Sequence, residues 1–116
     1  MVRRLAVMLL LLAMPLSAAL ADAFVAGTED VPLMPGLAEV EGSSFVFDKP
    51  QGRIVETQAA GKVTRAAVHS FYAGALPQLG WKSAGANAWR REGEVLRLDV
   101  KGRDGDLTVG FSLSPN

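Results

Sequence analysis

The chain has 116 residues, with 12 basic and 12 acidic side chains, one histidine and no cysteine. That length predicts a single domain with one core, and the lack of cysteine excludes disulfides, thiolate metal sites, a cysteine nucleophile and a lipid-bearing cysteine anchor. One histidine excludes any site built on two imidazoles, and balanced charge excludes the basic excess of phosphate-driven nucleic-acid binding.

The N-terminus carries an export signature. Arg3 and Arg4 precede an unbroken apolar run from Leu5 to Met14, Pro15 ends it, and the small residues Ser17, Ala18, Ala19, Ala21 and Ala23 follow. This is the layout of a cleavable secretory signal. Ala19-Leu20-Ala21 predicts a leader of residues 1–21 cut before Asp22, and Ala21-Asp22-Ala23 offers the alternative cut before Phe24. The apolar run falls well short of the roughly 20 residues a membrane span needs. No stable membrane anchor is therefore expected after cleavage, and the predicted location is the periplasm. Subtracting 21 from 116 leaves a mature chain of 95 residues, and losing Arg3 and Arg4 leaves ten bases against twelve acids.

Residues 22–43 read as an acidic arm containing Pro32, Pro35, Gly27, Gly36 and Gly42, with no sustained periodicity. Val31 to Gly36 should be extended, because a residue before proline is pushed out of the α region. The apolar Val31, Leu33, Met34 and Leu37 predict that the arm lies in a groove across the domain rather than in water. Residues 44–116 form the single domain. Ser44–Asp48 and Arg53–Gln58 are β-rich runs joined by Lys49-Pro50-Gln51-Gly52, a type I turn signature, so a hairpin is predicted with Gly61 ending its second strand. Thr64 should cap the one good helix, whose apolar stripe is Val68, Phe71, Tyr72, Ala75, Leu76 and Leu79. Pro77 predicts a kink or a stop near Ala75 or Leu76, and Gly80 can supply the left-handed residue beyond it.

A meander follows: Trp81–Ala84, Ala88–Arg91, Glu94–Lys101 and Asp106–Leu113. The last run alternates Leu107, Val109, Phe111 and Leu113 against Thr108, Gly110 and Ser112. Such alternation implies a sheet with one dry face and one wet face. One helix to cover the dry face gives an α+β two-layer sandwich of order ββαββββ.

Catalytic chemistry is thin. His69 lies on the helix flank away from the stripe, and its neighbour Ser70 does not face it. No G-x-S-x-G elbow is present, so the residues assign no catalytic role; a small hydrolase centred on His69 is the exception to watch. Asp104-Gly105-Asp106 offers two carboxylates across a hairpin glycine, too few oxygens for a calcium loop. Gly102 and Gly105 join two strands, whereas a phosphate loop joins a strand to a helix. No metal or cofactor is expected. Arg90, Arg91, Arg97, Lys101 and Arg103 alternate with Glu92, Glu94, Asp99, Asp104 and Asp106, which predicts ion pairing on a wet sheet face rather than a nucleic-acid site. Phe45, Phe47, Phe71, Trp81, Trp89 and Phe111 fall at core positions, Trp89 with an arginine-stacked exposed alternative.

Charge is distributed unevenly. Asp22 to Asp48 holds six acids and no base, while Lys49 to Asn116 holds ten bases and six acids. The favoured explanation is an acidic arm folded over its own domain, with little energy per exposed pair. The competing one is a docked partner of opposite charge.

The run Val68-x-x-Phe71-Tyr72-x-x-x-Leu76-Pro77-x-Leu79-Gly80-Trp81 resembles the helix-to-strand junction of small secreted proteobacterial α+β domains of uncharacterised function. More distantly, it resembles the helix-grip domains of BamC-type lipoproteins of the outer-membrane assembly machinery. The resemblance covers about 15 residues, concerns packing, and implies only fold class and envelope location; the lipid-bearing cysteine and second domain of the BamC type are missing here. The expected function is non-catalytic protein binding to an envelope partner, with a carrier of a small apolar or lipid ligand between helix and sheet as the alternative. The expected interaction surface is Val31, Leu33, Met34, Leu37, Trp81, Trp89, Arg90, Arg91 and Arg97.

Overall fold

The computed structural model describes residues 23–116; the predicted leader lies outside them. Eight elements follow in chain order: β1 (Leu37–Glu39), β2 (Phe45–Lys49), β3 (Gly52–Gly61), α1 (Arg65–Gln78), β4 (Lys82–Ser83), β5 (Ala88–Arg91), β6 (Glu94–Arg103) and β7 (Asp106–Pro115). One helix packs on a seven-stranded antiparallel sheet of order β1-β3-β7-β6-β5-β4, with β2 also beside β3. The class is α+β, as expected. The predicted order gains one strand, β1, which comes from the arm.

The long strands β3, β7 and β6 build the centre of the sheet. Their register aligns Val55 with Leu113 and Leu96, Thr57 with Phe111 and Leu98, and Ala59 with Val109 and Val100. Because side chains alternate across a strand, these rows share one face. That inner face holds the core together with Val68, Tyr72 and Leu76 of α1.

Strands β1 and β2 occupy the same edge of β3, since Ala59 to Gly61 and Gly52 to Glu56 each lie opposite them while β7 takes the other side. Between the two strands, residues 40–44 face only Thr57 and Gln58, an irregular insertion of the bulge type. Ser43 repairs the broken ladder: its Oγ accepts from Gln58 N (3.1 Å) and donates to the Gln58 carbonyl (3.2 Å).

Thr64 caps α1 as predicted, its hydroxyl accepting from Ala67 N at 3.0 Å. Asp104 reaches the same end and accepts from Arg65 N at 2.9 Å, so this carboxylate acts as a helix cap. Pro77 does not end the helix early. It stands in the last turn, where only one hydrogen bond is lost, and the chain closes with Leu79, Gly80 and Trp81 amides donating to the Leu76 and Pro77 carbonyls. Gly80 supplies the positive φ of 93°.

A single helix cannot cover this sheet. Six adjacent strands span roughly 24 Å, against about 10–12 Å for a helix with its side chains. The arm covers the β3 side: Val25, Val31, Met34 and Leu37 all enter the core, Thr57 Oγ1 donates to the Ala26 carbonyl at 3.0 Å, and Arg53 donates to the Gly27 carbonyl at 3.3 Å. On the β5–β6 side nothing among the described residues completes the layer, and a cleft remains.

Candidate functional site

Three features could carry a binding function: the arm and its latch, the cleft beside α1, and the outer edge of the sheet at β2.

The arm is held by Tyr72 and Arg91. The Tyr72 hydroxyl accepts from Met34 N (3.1 Å) and donates to the Pro32 carbonyl (2.8 Å), while its ring meets Phe71 and Phe111 edge to face. Burial pushes its pKa up to about 12, with the Met34 amide opposing. Arg91 donates through both terminal nitrogens to Asp30, at 2.9 and 3.0 Å, and to the Leu79 carbonyl at 2.9 Å. Its guanidinium also stacks 4.3 Å from the Trp81 ring centre. The Arg91 hydrogen bonds hold the Asp30 carboxyl below its ordinary range, against the opposing effect of burial.

These contacts correct the expected interaction surface. Val31, Met34, Leu37 and Trp81 are buried, Leu33 is half-buried against the core, and Arg91 is engaged in the latch. They hold the domain together, because removing four large apolar groups from water outweighs any gain from keeping them exposed for a partner. The uneven charge is explained only in part. Among the described residues Asp30 is the one arm carboxylate in a salt bridge; Glu29, Glu39, Glu41 and Asp48 are exposed.

Raising the pH should loosen the latch at Tyr72. An acid whose folded pKa is raised keeps its full stabilisation below the unfolded value near 10, and loses it as pH climbs towards about 12. The expected loss is on the order of 2–3 kcal/mol. Tyr72→Phe should flatten this dependence and lower stability at neutral pH by about 1–3 kcal/mol, since the Met34 amide loses its acceptor. As Tyr72 is the only tyrosine, phenolate absorbance read beside thermal melts checks both.

The cleft on the other side of α1 has a volume of about 430 Å³. Val68, Tyr72, Trp89, Leu98 and Val100 form its apolar walls, with His69 and Asn87 on its rim. Trp89 is thus half-buried in a wall. His69 is exposed, and Asp99, the one acid lining this cleft, is exposed and paired with Lys101 at 3.5 Å. Among the described residues no buried carboxylate stands by to turn His69 into a general base.

The sheet's outer face holds the remaining candidates. Arg97 stands opposite Ala88 and Ser112, and Arg90 opposite Val95 and Lys82, both exposed. At the far side of this face is β2, which departs most from expectation. Phe45, Val46 and Phe47 are 56%, 51% and 55% exposed, so the two rings are not core residues. Phe45 and Phe47 stand opposite Glu56 and Ile54 on the outer face, stacked 6.2 Å apart at 10°. Val46, opposite Val55, points to the inner side beside Gly27 of the arm, yet stays half exposed. The rings, Lys49, Ile54 and Glu56 line a shallow depression.

No family model, curated protein or solved structure matches this chain.

The two ends of the sheet differ sharply. β4 has two residues and carries Lys82, the short, charged form by which sheets discourage edge pairing. β2 has five residues, all exposed, and among the described residues no strand pairs with its outer edge. The signal in the sequence was Phe45-Val46-Phe47 itself: three consecutive apolar residues in a strand put side chains on both faces, and one core could bury only one of them.

Proposed function

We propose that this protein is a non-catalytic docking module that takes an extended segment of another protein onto the outer edge of β2. The observation that carries the reading is the exposed Phe45-Val46-Phe47 strand, whose unpaired edge and stacked rings fit recognition by strand addition. Exposed apolar surface of this kind on an ordered strand marks interaction sites. The reading keeps the expected class, protein binding, and moves its location from the arm to β2. The helix-on-sheet layering is taken as a two-layer sandwich in which the arm completes the inner layer. The envelope is proposed as the setting; N-terminal sequencing of the exported protein should then find Asp22 first, whereas a cut before Phe24 would remove the Ala23 carbonyl that accepts from Leu33 N.

A photo-crosslinking side chain placed at Val46, with a control at Lys82 on the opposite edge, tests the docking surface in the native envelope. Adducts at Val46 alone are expected; equal adducts at both positions, or none at Val46, would sink the proposal. Phe45→Ser with Phe47→Ser should abolish those adducts while changing stability by less than about 1 kcal/mol, since both rings are exposed. A second reading, a carrier of a small apolar molecule, rests on the cleft beside Trp89, whose volume suits a small ligand. Native mass spectrometry showing a retained molecule that Trp89→Ala releases would favour it.

A further inference from the structure

We infer that the segment docked on β2 is a basic one: apolar at alternate positions and flanked by lysine or arginine. This rests on the docking reading above and adds the chemistry of the partner. Three exposed carboxylates, two from the arm and one from β2, line one edge of the sheet. Glu39 ends β1, Glu41 stands in the insertion between β1 and β2, and Asp48 lies within β2 after Phe47. The apolar triplet is thus bracketed by carboxylates on both sides, with Lys49 the one base in the arm-to-turn stretch. None of the three acids is in a salt bridge among the described residues. The nearby bases are engaged or face other groups: Arg53 stands opposite Asp48 in the ladder but directs its guanidinium to Glu94 and the Gly27 carbonyl, Arg91 is bound to Asp30 and Lys101 to Asp99, and Arg97 lines an outer-face depression with Phe45 and Glu56.

A self-docked arm explains the burial of its apolar residues and the pairing of Asp30, and leaves these acids unexplained. A strand added to β2 would run past them. Its alternate side chains would cover the Phe45 and Phe47 rings, and its flanks would meet Glu41 and Glu39 at one end and Asp48 at the other. Rim charges of this kind set association rate and partner choice more than raw affinity. A second copy of this chain would bring the same acidic edge to the interface.

The test uses the mature protein and three labelled peptides sharing a Thr-Val-Thr-Val-Thr-Val centre and flanked by two lysines, two glutamates or two serines at each end. Fluorescence anisotropy at low salt should show the lysine-flanked peptide binding about tenfold more tightly than the serine-flanked one and more tightly still than the glutamate-flanked one. High salt should close the gap. In the double variant Glu39→Lys, Glu41→Lys the order should invert. Equal binding of all three peptides overturns the basic partner and leaves docking at β2 standing. Binding that survives Phe45→Ser with Phe47→Ser, or no binding of any peptide, overturns docking itself. Sedimentation velocity of the protein alone provides the remaining arm: self-association lost in the Phe45→Ser, Phe47→Ser variant would make a second copy the occupant and overturn the basic-partner inference.

Discussion

Deleting residues 22–43 is expected to yield a chain that does not fold. The arm places Val25, Val31, Met34 and Leu37 in the core, and burying each such side chain contributes about 1.5–3 kcal/mol. Their sum, roughly 6–12 kcal/mol, matches the whole stability of a typical small domain at about 5–15 kcal/mol. The deletion also uncovers the Tyr72 and Thr57 hydroxyls, which bond to arm carbonyls, and strands Arg91 over Trp81. Circular dichroism of the truncated chain should show no cooperative melt. A graded series probes the same dependence with less damage: Val31→Ala should cost about 2 kcal/mol, while the half-buried Leu33→Ala costs less. A truncated chain melting like the full protein would mean that the arm is an accessory that can leave the inner face, and would return its apolar residues to the docking surface.

Gly61→Ala should be the most damaging single substitution at an otherwise bland position. Gly61 ends β3 opposite Leu37, and its backbone needs no positive φ. The obstacle is space: a Cβ there would overlap the Gly36 carbonyl oxygen and lie 3.2 Å from Leu37 Cα. Both are backbone atoms, so no rotamer change relieves the clash, and β1 must lift from β3. The expected cost is about 2–3 kcal/mol, seen as a drop in melting temperature of roughly 10–20 °C. Gly110→Ala in β7 is the control. Its Cβ would rest 3.7 Å from the Asp99 carbonyl oxygen, an ordinary contact, and the melt should shift little. Equal shifts for both variants would mean that β1 is not pressed onto β3.

Much of the fold was legible because its signals are local. The hairpin turn at Lys49–Gly52, the Thr64 cap, the stripe of Val68, Tyr72 and Leu76 and the alternation of β7 each express chemistry between residues close in sequence. β1 was not legible: Leu37-Ala38-Glu39 has no strand pattern of its own and pairs only because Gly61 and Gly36 let two backbones meet. Asp104 likewise looked like a turn acid, and its role as a cap for Arg65 appears only when the β6–β7 turn is brought beside the helix.

The candidate site follows the same division. Composition and short-range periodicity suffice to show arm, hairpin, helix and meander, the mixed acidic and apolar character of the arm, and the exclusion of two-imidazole and thiolate chemistry. Which apolar residues face water was decided by the tertiary structure. Phe45 and Phe47 and the arm's Val31, Met34 and Leu37 compete for one small core, and pattern alone ranks them equally. The sheet settles the competition by geometry: the arm reaches its inner face beside α1, while the two rings alternate onto the outer face of an edge strand, where no second layer among the described residues stands to cover them.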